Sequence, residues 1–198
     1  MNKTKDSIIE NKILPASYIA ELVREFEEIP SYMGKSAVLG GCYDCLHPGH
    51  LDMISRAYGY EFEDGTYIDT IIIALNSDVS VKILKGPNRP IITQDDRAFN
   101  LASLQYVHYV TIFDEPVIDN VLKTIKPNYF IKSDQYSYDI MTDTEKQIFK
   151  DYSITPLFLP FYNEYSTTHL INQVEANLKG LKCICAERLS TNGHKQNT

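Results

Sequence analysis

The 198-residue chain has no tryptophan, only four cysteines, and nine residues each of glycine and proline. Four thiols are too few to staple a fold of this length, so a reduced, cytoplasmic setting is expected. No run of 18 or more apolar residues occurs, which excludes a membrane-spanning helix of the usual kind. Residues 1–11 lack the apolar stretch of a signal peptide. Basic side chains are outnumbered, 19 against 26, for a formal net charge of −7. A general nucleic-acid binder would show the opposite balance, so neither a nucleic-acid nor a membrane partner is expected. A small anionic substrate stays open, because a local basic pocket can form on an acidic protein. No G-x-G-x-x-G follows the first expected strand, which argues against a dinucleotide-binding oxidoreductase. The rest is ordinary globular material, 43% hydrophobic and 23% charged, sufficient for one core.

Hydrophobic spacing supplies the organisation. Residues 1–16 read as a loose lead-in. Ile19, Leu22, Val23 and Phe26 then recur at helical spacing between Ser17 and Ile29. A strand–helix alternation follows. Strands are expected over 36–42, 68–75, 107–113, 129–132 and 154–159. Helices are expected over 50–60, 93–104, from Pro116 to 125, over 143–152, and from Ser166 or Thr167 to 178. Thr93 and Asp96 are spaced as a capping box. Such alternation implies an α/β fold, a doubly wound parallel sheet with an N-terminal helix, whose ligands sit beyond the carboxyl ends of the strands. The expected divisions are an N-terminal extension with one amphipathic helix (1–35), a catalytic domain (36–179) and a flexible tail (180–198).

The first loop beyond a strand carries the chemistry: Gly40-Gly41-Cys42-Tyr43-Asp44-Cys45-Leu46-His47-Pro48-Gly49-His50. Its glycines permit close backbone approach to a ligand, and the following helix offers free N–H groups to a phosphate. His47 and His50 bracket Pro48-Gly49, so both imidazoles can face one anion. Cys42, Cys45, His47 and His50 also read as C-x2-C-x-H-x2-H, but the pairs lie far closer than in a zinc finger, and no metal held by the protein alone is expected.

These segments resemble the nucleotidylyltransferase superfamily. GGCYDCLHPGHLDMISRA is similar to its HxGH motif. Asn76-Ser77-Asp78 followed by SVKILKGPNRP, residues 80–90, resembles the adenylyltransferase domain of the bacterial enzymes that make ADP-heptose, which act on D-glycero-β-D-manno-heptose 1-phosphate. Ser166-Thr167-Thr168 resembles the family's late serine–threonine motif. The resemblance spans about 35–178 and implies a Rossmann-like nucleotidylyltransferase fold.

The resemblance implies transfer of AMP from ATP to a sugar 1-phosphate, with pyrophosphate as the other product. Mg²⁺ would arrive with the triphosphate, a separate kinase would supply the sugar phosphate, and the protein would form a homodimer. The implied catalytic residues are His47, His50, Lys85 and Lys35. Nucleotide or phosphate contacts fall to Gly40, Gly41, Cys42, Tyr43, Gly49, Asn76, Arg89, Arg97, Lys132, Asp134, Ser166, Thr167 and Thr168. Acceptor contacts fall to Asp44, Lys82 and Tyr136, with Asp44 orienting the loop as the other role open to it. Lys82, Lys85 and Arg89 are expected on a loop stiffened by Pro87 and Pro90.

Two departures are visible. Lys132-Ser133-Asp134-Gln135-Tyr136 stands where the heptose-type enzymes have KGGDY, without the glycines. Tyr58–Tyr67 is longer than the usual turn. Two alternatives remain: a CTP-dependent enzyme acting on glycerol 3-phosphate or a phospho-alcohol, and a nucleotide-binding regulatory module without catalysis.

Overall fold

The computed structural model describes residues 3–160 and 171–178. Five parallel strands form one sheet: β1 (Gly34–Gly41), β2 (Tyr67–Asn76), β3 (Tyr109–Phe113), β4 (Tyr129–Ser133) and β5 (Thr155–Leu159). Their order is β3-β2-β1-β4-β5, so the winding reverses between β1 and β4. The loops after these two strands therefore diverge and leave a crevice at the carboxyl end of the sheet.

Alternation along the strands supplies two cores. Ile71, Ile73 and Leu75 of β2 face α3 (Pro48–Ala57) and α5 (Gln94–Ala102), meeting Ile54, Ala57, Ala98 and Leu101. Ile72 and Ala74 face the other way, into a core with α2 (Ala16–Glu27), α6 (Asp119–Ile125) and α7 (Asp143–Tyr152). With both faces covered, β2 reads as a nearly unbroken apolar run. α7 opens on a complete capping box, Thr142 with Glu145.

Two helices precede the sheet, where a loose lead-in and a single helix were expected: α1 (Lys3–Lys12) and α2. Ile19 and Val23 of α2 are buried in the second core, so α2 is a structural layer of the domain. Between the helices, Ile13 bridges Val110 in parallel and the Leu14 N–H donates to the Val110 carbonyl at 3.0 Å. This contact shields the β3 edge, which would otherwise present unpaired backbone groups.

Three other boundaries differ from expectation. Asp78–Lys85 is a helix, α4, capped by the Ser77 side chain; Lys82 and Lys85 stand on it rather than on a loop. α6 begins at Asp119, so Pro116 lies in the preceding loop and not in a first helical turn. At α5 the Thr93 hydroxyl accepts from the Asp96 N–H at 3.4 Å and donates to the Asp96 carboxylate at 2.9 Å, a local cap without the reciprocal backbone bond of a full box.

The Tyr58–Tyr67 segment folds back on its own sheet. Phe62 stacks on Tyr129 with centroids 4.4 Å apart, and Tyr58 on Tyr106 at 4.9 Å. Residues 171–178 form a further helix outside the unit that holds the sheet. No helix of the described residues is long and apolar enough to cross a membrane.

Candidate active site

β1 ends at Gly40-Gly41, and the chain turns sharply at Tyr43, whose φ of 45° is a left-handed conformation costing a bulky residue roughly 1–2 kcal/mol. The turn lays the buried Tyr43 ring over Gly41, where an added Cβ would sit 3.0 Å from its Cε2. The same ring lies 4.9 Å from His50. His47 is the N-cap residue of α3, with Pro48 in the first helical position and Gly49 buried behind it. The His47 and His50 rings stack, centroids 3.7 Å apart.

Both imidazoles are held neutral. Burial pushes His47 down, and burial together with neighbouring His47 pushes His50 to about 3. His50 Nδ1 is buried without a hydrogen-bond partner among the described residues, so a proton added there would find no acceptor.

Asp44, buried, clamps the basic segment to this loop. Its carboxylate accepts from Arg89 Nε and from the Ile91 and Ile92 N–H groups, the latter two at 2.7 and 3.0 Å. Its place is therefore the loop-orienting one, with its oxygens turned to protein donors and not toward an acceptor. Lys85 and Arg89 come close enough to act on the Cys42 thiol: burial raises its pKa, while Lys85, Arg97 and Arg89 oppose the rise. Lys82 and Lys85 are exposed and Arg89 is half-buried.

Two predicted residues are placed inside the fold or at the far end of the sheet. Arg97 is 1% exposed, and its guanidinium donates to the carbonyls of Cys42, Asn76 and Ile92 and to Asp78 Oδ1. Four of its five N–H donors are taken in this way, and it ties the ends of β1 and β2 to α4 and α5. Lys35 is the second residue of β1, at the opposite end from Gly41, near Asp64. Six strand residues carry it roughly 20 Å from the histidine loop, too far for a side chain to span.

Beside the histidine loop lies a cleft of about 560 Å³ between the β3–α6 and β4–α7 connections. Gly40, Gly41, Asn76, Lys132 and Tyr136 line it, as predicted residues. A Cβ at Gly40 would meet Ile118 Cδ1 at 2.6 Å, so the end of that side chain would have to move aside. Asn76 is fixed by donating to Ser80 Oγ at 2.9 Å and accepts weakly from Cys42 Sγ at 3.9 Å. Asp134 is exposed, its backbone N–H donating to the Leu159 carbonyl at 2.8 Å. Ser166, Thr167 and Thr168 lie outside the described residues. Among the lining residues that sequence reasoning missed are Ile118, Asp119 and Glu145. Glu145 was detectable as the third helical position after Thr142 in T-D-T-E; nothing local marks the other two.

A family profile described as Cytidylyltransferase-like matches residues 38–173. The chain belongs to this family. It is a nucleotidyltransferase, with the histidine loop, the clamped basic segment and the cleft all inside the matched region. Among curated relatives, the bifunctional protein HldE of Campylobacter concisus is 39% identical over 155 residues, covering 77% of this chain and 30% of that protein. HldE of Aliarcobacter butzleri is 36% identical over 164 residues, covering 79% and 32%. The chain thus spans about a third of the length of these relatives. A solved lipopolysaccharide core biosynthesis protein from Thermoplasma volcanium overlays with a TM-score of 0.49 at 18% identity, over 65% of this chain and 98% of that one.

Proposed function

We propose that this nucleotidyltransferase transfers AMP from ATP to a sugar 1-phosphate of the heptose 1-phosphate type and releases pyrophosphate. The observation that carries the reading is the pair of stacked, neutral imidazoles at the start of α3, next to a basic segment held in place by Asp44. The similarity to HldE proteins and the SVKILKGPNRP segment support the choice of ATP and of a heptose-like acceptor.

An acceptor phosphate oxygen attacks the α-phosphorus, the bond between the α-phosphorus and its bridging oxygen breaks, and pyrophosphate departs. No covalent enzyme intermediate is needed, so the protein contributes position and charge stabilisation. A neutral imidazole keeps one N–H donor. His47 and His50 each direct such a donor at oxygens of the reacting phosphate, where charge grows in the transition state. Lys85 and Arg89 balance the charge of the leaving pyrophosphate.

Mg²⁺ bound to the triphosphate would neutralise part of its charge. Such a cation would be carried chiefly by phosphate oxygens and water.

The test is pyrophosphate release with ATP and with CTP against heptose 1-phosphate, other sugar 1-phosphates, glycerol 3-phosphate and phosphoethanolamine. Turnover of ATP with a sugar 1-phosphate is the expected result. Turnover of CTP alone would transfer the protein to the cytidylyl branch of its family.

A further inference from the structure

The cleft beside the histidines differs in character from a phosphate site. Its walls are partly apolar, with Phe113, Val117, Ile118, Phe130 and Ile140 among them. It holds one ammonium, Lys132, against two carboxylates, Asp119 and Glu145. Lys132 Nζ lies 3.2 Å from Glu145 Oε1 and 4.0 Å from the centre of the Tyr136 ring. Both members of the pair are about four-fifths shielded from solvent.

Neither is free to wander. Glu145 Oε2 accepts from the Thr142 N–H at 3.0 Å and from its hydroxyl at 3.2 Å, so the cap of α7 aims the other oxygen at Lys132. Burial alone would raise the Glu145 pKa; the Thr142 N–H and the Lys132 charge more than offset this and hold it below the ordinary value. An ammonium has three donors. Glu145 takes one and the Tyr136 face attracts the cation, which leaves donor capacity toward the cleft.

We propose that Lys132 and Glu145 act together as a net-neutral donor–acceptor pair that reads an uncharged polar group of the substrate, with Glu145 as a specificity-determining residue. The inference rests on the nucleotidyl-transfer reading. Lys132 is balanced by a carboxylate 3.2 Å away and has no second cation in the cleft lining, whereas Arg89 stands with Lys85 beside Cys42. The Lys132–Glu145 pair matches a neutral edge carrying a donor beside an acceptor. Two parts of the reactants offer one: the amino-and-ring-nitrogen edge of adenine, shared by cytosine, and the hydroxyls of the acceptor sugar. Inosine presents a carbonyl where adenine has its amino group and would oppose the Glu145 carboxylate.

The variants are Glu145→Ala, Glu145→Gln and Lys132→Met. Gln at this position retains the helix cap, and Lys132→Met leaves the cap untouched, so a change shared by all three is not a folding effect. Binding of ATP and of ITP is measured calorimetrically without acceptor. Binding of heptose 1-phosphate is measured on the complex with α,β-methylene ATP, which cannot transfer. If the pair reads the base, the wild-type preference for ATP over ITP falls roughly ten- to hundredfold in Glu145→Ala. If it reads the sugar, that preference stands and heptose 1-phosphate binding weakens by a similar factor. Ratios and affinities all within about twofold of wild type overturn the proposal. A wild-type protein that binds ATP but not heptose 1-phosphate removes the proposed acceptor, and the ATP/ITP ratio then decides the pair's role alone.

Discussion

The imidazoles of His47 and His50 lie face to face, 3.7 Å between centroids and 28° from parallel, at the first turn of α3. Two cationic rings could not share that separation, so the stack itself requires neutrality of at least one. Burial makes the same demand of each ring separately. On the proposed function, their part in transfer is hydrogen-bond donation to phosphate oxygens, without a standing positive charge in the free enzyme. Replacing His50 by Ala is expected to lower kcat by about 10²–10³, the usual loss for one transition-state donor. Steady-state pyrophosphate release, with circular dichroism to verify the fold, checks this; a near-normal kcat would remove His50 from the chemistry.

The same burial sets a pH dependence of stability. His50 in the folded protein titrates near 3, against an ordinary value of 6.5. Below 6.5 the unfolded chain takes up a proton that the folded chain refuses, so stability is lost as pH falls from about 6.5 toward 3. His50→Asn, which cannot titrate, is expected to flatten that part of the curve. Urea midpoints of both proteins between pH 7 and pH 4 would show it, and parallel curves would mean that His50 is not the group responsible.

Asp44 connects the histidine loop to the basic segment through one carboxylate with three donors. Asp44→Ala leaves Arg89 and two amides without their acceptor. The expected cost is about 1.5–3 kcal/mol for lost hydrogen bonds to a charged group. Amide exchange is expected to accelerate at Ile91 and Ile92 beyond the global effect, and KM for the nucleotide to rise as Arg89 is released. Unchanged exchange at these two amides would show that the segment is held by other means.

Arg97 is an internal tie. Its carbonyl partners are Cys42 and Asn76, at the ends of β1 and β2, and Ile92 ahead of α5, and its carboxylate partner belongs to α4. Arg97→Met fills the volume but leaves Asp78 and the three carbonyls unanswered. Asp78 is 31% exposed and can be rehydrated, so the cost falls on the carbonyls left without a donor, about 1–3 kcal/mol for each buried group, and denaturant unfolding should register a loss of at least that order. Lys is not an equivalent replacement, because a single ammonium cannot reach acceptors on opposite sides of a planar fork. A fully stable Arg97→Met protein with lowered phosphate affinity would instead return Arg97 to the ligand.

Legibility in the sequence followed the range of the interactions. The parallel sheet was readable because β2 is apolar on both faces, and the histidine loop because its residues are contiguous. α4 was not readable as a helix: Val79, Ile83 and Leu84 are exposed and only Ser80 and Val81 are buried, so its apolar residues mark no inward stripe. The internal bonds of Arg97 were not readable, because its acceptors come from segments far apart in the chain and nothing local announces them. Glu145 reached the site through the cap of a helix whose other duties are structural.

Lys35 tests how far nearness in sequence can mislead. It precedes the histidine loop by only a few residues, yet β1 is extended and carries it to the other end of the sheet. There its register partner is Ile68 at the start of β2, and its charge acts on Asp64. Lys35→Met should leave kcat and both KM values close to wild type and change stability by no more than about 0.5 kcal/mol, as at a surface position without special contacts. The comparison with His50→Ala in one assay is decisive, because both residues were assigned to catalysis on the same resemblance and only one lies where the strands end. A large fall in kcat for Lys35→Met would mean that this end of the sheet takes part in the reaction, through a movement of β1 or a second copy of the chain.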